Sequence, residues 1–129
     1  AFLSYSSFGH PRGEQPERVR NAVSLMDQRG ADFEYEGEMT PDVALDPALW
    51  ESYPFQRLSE PANVLIMPAI HSAAISTKLV QALGEVAVVG PILVGLSRPV
   101  QICRLGDSVS IIVTMATRAA FEAQRGGAA

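Results

Sequence analysis

The chain has 129 residues, 47% of them hydrophobic, and its 14 acidic and 10 basic side chains leave a formal charge of −4. That length and apolar content suit one domain with a real core rather than a disordered tail, and the acidic balance repels a phosphate backbone, so nucleic acid is excluded as a partner. One cysteine allows neither an internal disulfide nor a metal knuckle, and no apolar run approaches the ~20 residues that span a bilayer or makes a secretory leader, so we expect a cytoplasmic chain with no membrane partner.

The opening AFLSYSSFG lacks an initiating Met and reads as strand from its first residues, so a piece of a longer chain is expected, with RGGAA as a frayed end. Phe2 to Ser6 predicts a buried strand ending in a Ser/Gly turn. Pro16 opens a helix with Val19, Ala22, Val23 and Met26 on one stripe and Gly30 as its stop. DFEYEGEM alternates Phe33, Tyr35 and Gly37 against Glu34, Glu36 and Glu38, which predicts an edge or half-exposed strand with its acids in water. Thr40-Pro41 and Asp46-Pro47 each set a capping side chain before a proline, so two short helical pieces follow, the second carrying Leu49 and Trp50.

After the irregular PFQRLSEPAN, the unbroken apolar run VLIMP predicts a strand covered on both faces. Ser72 to Gly84 is helical, with Ile75, Leu79, Ala82 and Leu83 on one face. VAVVGPILVG is the next buried strand, interrupted at Gly90-Pro91, and Ser108 caps a last helix with Ile111, Ile112, Met115 and Ala119 inward. The β-α rhythm predicts an α/β fold: a mostly parallel sheet with helices on both faces, in three layers.

Ligands of such sheets sit beyond the carboxyl ends of strands, often on helix N-termini. Three loops qualify. SYSSFGHPRG offers the hydroxyls of Ser4, Ser6 and Ser7, Gly9 for close backbone approach, then His10 and Arg12. Its plainer reading is a polar strand-to-helix connection. PAIHSAA sets His71 ahead of a helix, where a cap or surface role competes with that of a base. GLSRPVQICRLGD carries Gly95, Ser97, Arg98, Arg104 and Asp107. No nucleophile elbow, Walker loop or metal-binding His-Glu spacing is present, and Cys103, behind Val100 and Ile102, reads as a packed thiol.

LSYSSFG, EGEM followed by Asp42-Val43-Ala44-Leu45, ANVLIMP, KLVQALG and VGPILVGLSRPV stand in an order and spacing that resemble the phosphate acetyl/butyryltransferase family. They resemble more closely the transferase-like domain at the C-terminus of large bacterial NADP-dependent malic enzymes, which share the SSFG and GEM flavour and an Ala-Xaa-Glu-Ala-Gln helix like that within Ala119 to Gln124. The resemblance implies the three-layer fold that this family shares with isocitrate and isopropylmalate dehydrogenases, and it makes residues 1–129 a single domain forming the C-terminal portion of a larger one.

In active transferases of the family, the loop after Gly-Leu-Xaa-Lys-Pro-Val typically reads Asn-Asp-Leu-Ser-Arg-Gly-Cys, with an Asp shortly after. Its Ser, Arg and later Asp serve thiol activation, phosphate binding and transition-state stabilisation. Aligned without gaps from Pro99 and Val100, Arg104 takes the place of that Ser, Leu105 of that Arg, and Ile111 of that Asp. A leucine offers no donor fork for a phosphate and an isoleucine accepts no proton. The family's Pro-Asp-Leu-Asn likewise becomes Pro68-Ala69-Ile70-His71.

The resemblance therefore implies a catalytically silent module that senses acetyl-CoA or a related CoA ester and helps to hold an oligomer, a dimer in the simplest case. Its ligand contacts would come from Ser4, Ser6, Gly9, His10, Arg12, Gly95, Arg98 and Arg104. NADP and a divalent metal would belong to the malic-enzyme part outside these residues, with no cofactor or metal in this chain. The alternatives are a phosphate acyltransferase in which a shifted loop lets Arg98 or Arg104 replace the lost arginine, and a purely structural dimerisation piece.

Overall fold

The computed structural model describes residues 1–126, so part of the closing RGGAA lies outside the described residues. The chain divides into two compact units, Ala1–Leu79 and Val80–Ala129.

In the first unit, β1 (Phe2–Leu3) pairs in parallel with β2 (Gly37–Met39). On its other side Phe2 bridges Ile66, also in parallel, through bonds from Leu3 N–H to the Ile66 carbonyl (2.9 Å) and from Ile66 N–H to that of Ala1 (2.8 Å). The parallel order that the β-α rhythm predicts is therefore present. Helix α1 (Glu14–Arg29) makes the first crossover. It starts at Glu14 rather than at the predicted Pro16 and stops at Gly30, whose φ of +63° lets its amide reach the Met26 and Asp27 carbonyls. Its stripe turns inward as expected, with Pro16 and Val23 buried and Val19, Ala22 and Met26 partly so.

The two short pieces after Thr40 and Asp46 form as α2 (Pro41–Leu45) and a 3₁₀ helix (Pro47–Ser52), the second capped by the Asp46 side chain on the Ala48 amide. Trp50 donates its indole N–H to the Val43 carbonyl at 2.7 Å, tying the second piece to the first. Leu3, Met39, Val43, Ala44 and Leu58 form the core. Each large side chain buried there contributes roughly 1.5–3 kcal/mol.

Several expectations need correction. The alternating strand shrinks to Gly37–Met39, buried throughout, and of its acids Glu36 is 5% and Glu38 0% exposed. Arginines on other segments neutralise both, so they leave water where the pattern predicts a solvated edge. VLIMP makes a single bridge, and Val64 and Ile66 are exposed. They line a groove of about 680 Å³ with Phe2, Met26, Phe33 and Tyr35 instead of lying between two covered faces. Helix α3 (Ile70–Leu83) forms, but Ile75, Leu79 and Leu83 are exposed.

The other corrections are in the second unit. VAVVGPILVG is irregular, with one antiparallel bridge from Ile92 to Gln101 and with Val86, Val89 and Val94 exposed. Pro91 has no N–H to give a ladder, and Gly90 at φ +145° is outside strand geometry. Helix α4 (Val109–Gly126) starts as predicted, with Ser108 Oγ accepting the Ile111 amide at 3.4 Å. Of its predicted inner face Met115 is 2% exposed and Ala119 half-buried, while Ile111 and Ile112 face out. Cys103 is exposed, not packed.

Candidate functional site

The first candidate loop leaves β1 and enters α1. Its serines face inward. Ser4 is buried and its hydroxyl accepts the Ser6 amide at 3.4 Å; Ser6, fully buried, donates its hydroxyl to Oε1 of Glu38 at 3.0 Å. Ser7 Oγ accepts the Thr40 amide and bonds the Thr40 hydroxyl, both at 3.0 Å. The serines therefore hold the loop from beneath. What the loop presents outward is a pocket of about 400 Å³ lined by Phe8, Gly9, His10, Arg12, Glu17 and Arg20. Gly9, at φ +93°, needs the freedom of glycine there.

Electrostatics divide the cations of that pocket. Arg20 grips Glu38 through Nε (3.0 Å) and Nη2 (3.1 Å) and reaches Glu17 at 2.9 Å. Burial alone would raise the Glu38 carboxyl, but Arg20, the Gly9 amide and the Ser6 hydroxyl more than offset it and hold the group below its usual range. Arg12 makes no ion pair among the described residues. It is the arginine of that pocket left without an acidic partner.

In the second unit, Leu93, Gly95, Ser97, Arg98 and Pro99 line a pocket of about 600 Å³ with Glu122 and Ala123 of α4. Glu122 is already engaged by Arg118 (2.9 Å) and by the Gln101 amide (2.9 Å), while Arg98 makes no ion pair among the described residues. Arg104 is not part of this pocket. It folds back on its own turn, where its amide donates to Asp107 Oδ2 at 2.7 Å and its Nε lies 3.3 Å from Oδ1. Leu105, at the tip, is fully exposed. The structure thus gathers Gly9, His10 and Arg12 in one pocket and Gly95 and Arg98 in another, and leaves Ser4, Ser6 and Arg104 in internal bonds.

His71 is exposed on the first turn of α3, where Ser72 Oγ, 3.3 Å from the Ala69 amide, is the side chain that meets the backbone. Among the described residues no three His, Cys, Asp or Glu side chains stand together to hold a metal, and no helix is long and apolar enough to cross a membrane.

Sequence reasoning missed Glu38 and Arg20, the pair on which the first loop is built. A signal was available. Pro16, Arg20 and Val23 recur at helical spacing on the face that packs inward, so an arginine there implies a buried acid. Glu36 and Arg57 repeat the arrangement, with Arg57 Nε and Nη2 on the two carboxylate oxygens at 3.1 and 3.2 Å and Asp27 at 2.8 Å.

Comparison with known proteins agrees with this layout. A sequence profile of the phosphate acetyl/butaryl transferases matches residues 1–120. The chain is 56% identical over 123 residues to an NADP-dependent malic enzyme of Rhizobium meliloti, covering 95% of this chain but 16% of that protein. It is 32% identical over 127 residues to a phosphate acetyltransferase of Clostridium acetobutylicum, covering 98% of this chain and 38% of the relative. A crystal structure of a phosphotransacetylase from Streptococcus pyogenes superposes with a TM-score of 0.87 at 29% identity, over 96% of this chain and 39% of that one. The fold is the α/β fold of these transferases, and the chain spans less than two fifths of the length of each of these relatives. With the profile spanning all but the last residues, the chain belongs to the phosphate acetyl/butaryl transferase family.

Proposed function

We infer that this chain is the effector-sensing and self-associating module of an NADP-dependent malic enzyme and that it does not itself transfer acyl groups. The observation that carries the second half is Leu105, a fully exposed apolar side chain at the position where the family's phosphate-binding arginine is expected, beside an Arg104 already turned onto Asp107. A phosphate has no donor fork at that tip. The likeness to a malic enzyme over 95% of the chain supports the first half.

The effector that suits the retained donors is acetyl-CoA or a related CoA ester. Two separate pockets suit its phosphates, one with Arg12 and His10 in the first unit and one with Arg98 in the second, each with a glycine giving backbone clearance. Decarboxylation of malate to pyruvate, with NADP and a divalent metal, is assigned to the part of the enzyme outside these residues. The exposed apolar side chains Ile75, Leu79 and Leu83 of α3 support self-association, most simply as a dimer.

The test is malate-dependent NADP reduction by the full-length protein with and without acetyl-CoA, run beside sedimentation. Inhibition by acetyl-CoA and a dimer or larger assembly are expected. An enzyme indifferent to acetyl-CoA removes the sensing role, and a monomer removes the assembly role. The rival reading, a working phosphate acetyltransferase, draws on the 0.87 TM-score and is separated by direct assay of acetyl transfer.

A further inference from the structure

The side-chain bonds that Glu38 makes to other residues all go to one loop and one helix. Oε1 accepts the Gly9 amide at 2.7 Å, the Ser6 hydroxyl at 3.0 Å and Arg20 Nη2 at 3.1 Å, while Oε2 accepts Arg20 Nε at 3.0 Å. Its backbone carbonyl takes the Phe8 amide at 2.9 Å. The loop conformation so held is one the local sequence does not favour. Phe8 lies at φ +50° and Gly9 at φ +93°, and a bulky residue in the left-handed region persists only where its surroundings over-determine it.

We propose that Glu38 is the positioning residue of this loop, holding Phe8 and Gly9 in left-handed geometry so that Gly9, His10 and Arg12 line the pocket they share with Arg20. The same bonds make Arg20 a structural cation, neutralised by Glu38 and Glu17, and leave Arg12 as the pocket's charge for a ligand phosphate. That the pocket serves a ligand rests on the effector reading above; the positioning of the loop does not.

The molecule supplies its own control. Glu36 is also buried and is gripped at two points by an arginine, Arg57, whose amide it accepts at 3.0 Å, yet its side chain makes no bond to the Ser6–Gly9 loop. Glu36→Gln removes a comparable buried charge without touching the loop.

The experiment is amide hydrogen exchange on the full-length protein, resolved over residues 4–12, for the wild type, Glu38→Gln and Glu36→Gln, with acetyl-CoA binding followed by calorimetry. Glu38→Gln is expected to speed exchange across Phe8 to His10 about tenfold or more, because a bonded amide is replaced by one that opens locally. Glu36→Gln should leave those amides at the wild-type rate. Equal exchange in Glu38→Gln and wild type, or equal acceleration by both variants, overturns the proposal. Should Glu38→Gln not fold, Ser6→Ala keeps the carboxylate and removes one donor; a smaller acceleration confined to the same residues supports the proposal, and an unchanged rate overturns it. Absence of acetyl-CoA binding by the wild type defeats the effector reading alone, since the exchange comparison still decides the role of Glu38.

Discussion

Arg20 reaches out of α1 to both carboxylate oxygens of Glu38 on β2, at 3.0 and 3.1 Å, so one bidentate pair joins helix to strand, and the same carboxylate holds the Ser6–Gly9 loop that leads from β1 into α1. The Glu38 side chain is 1% exposed and that of Arg20 38%, so the acid is the member that needs its partner. Removing the arginine should leave a buried charge compensated only by the Ser6 hydroxyl and the Gly9 amide. Arg20→Ala is therefore expected to lower the local stability of β2 by about 3 kcal/mol. Protection of the Ser4 amide, which donates to the Met39 carbonyl of β2 at 2.9 Å, reads this directly in the intact protein. A loss below about 1 kcal/mol, the range of exposed ion pairs, would contradict the assignment.

The carboxyls of Glu38, Asp27, Glu34 and Asp42 all sit below their ordinary values. Arg20, Gly9 and Ser6 overcome burial at Glu38, Arg57 and Tyr35 act on Asp27, Ser59 acts on Glu34, and Thr40 acts on Asp42. A carboxyl depressed in the folded state is protonated first in the unfolded chain as pH falls. Its contribution is then complete above the ordinary carboxylate range of about 4 and is lost as pH drops through the folded-state values. The thermal midpoint should be flat from about pH 6 to 5 and should fall below about pH 4. A midpoint that rises on acidification would be incompatible with these pairs.

Gly37 crosses β1 too closely for any side chain. A Cβ added there would lie 2.6 Å from the Phe2 carbonyl oxygen and 2.8 Å from the Phe2 Cβ, at a φ of +153°. Gly37→Ala should cost about 1–3 kcal/mol from backbone strain, before any displacement of β1 is counted. Exchange of the Phe2 and Ser4 amides, which donate to the Glu36 and Met39 carbonyls at 2.8 and 2.9 Å, measures the effect; wild-type protection in the variant would mean that the strands have room to separate.

The parts of this fold that the sequence made legible are those settled within a few residues. Gly30, Asp46-Pro47 and Ser108 mark helix ends by cap chemistry, which needs no partner from elsewhere in the chain. What pattern reading misplaced depended on distant residues. Alternation around Glu36 and Glu38 looked like a solvated edge because it carries no trace of Arg57 or Arg20, which remove both acids from water. VLIMP and VAVVGPILVG carry the apolar composition of buried strands, but composition supplies neither neighbours nor ladder bonds, and Pro91 withholds one. At the candidate site, the residue types were legible and their directions were not. Ser4 and Ser6 look like ligand donors in sequence and are spent on Glu38 and on each other.

Arg98 and Arg104 separate the two ways of placing the effector in the second unit. Arg98 lines the pocket beside Gly95 and Ser97, and Arg104 is held by Asp107. If acetyl-CoA phosphates are bound there, Arg98→Ala should weaken acetyl-CoA inhibition of malate oxidation by about tenfold to a hundredfold, equivalent to about 1–3 kcal/mol for a charged hydrogen bond. Arg104→Ala should do less. Unchanged inhibition in both variants would show that the loop is only a strand-to-helix connection.

On the proposed reading the family scaffold no longer transfers acyl groups, with Arg104, Leu105 and Ile111 standing where the family's serine, arginine and aspartate are expected. The direct test is release of CoA from acetyl-CoA by the full-length protein, with and without added phosphate. No phosphate-dependent release is expected. Turnover of about 1 per second or more, the ordinary range of enzymes, would contradict this reading and make the chain part of a working phosphate acetyltransferase.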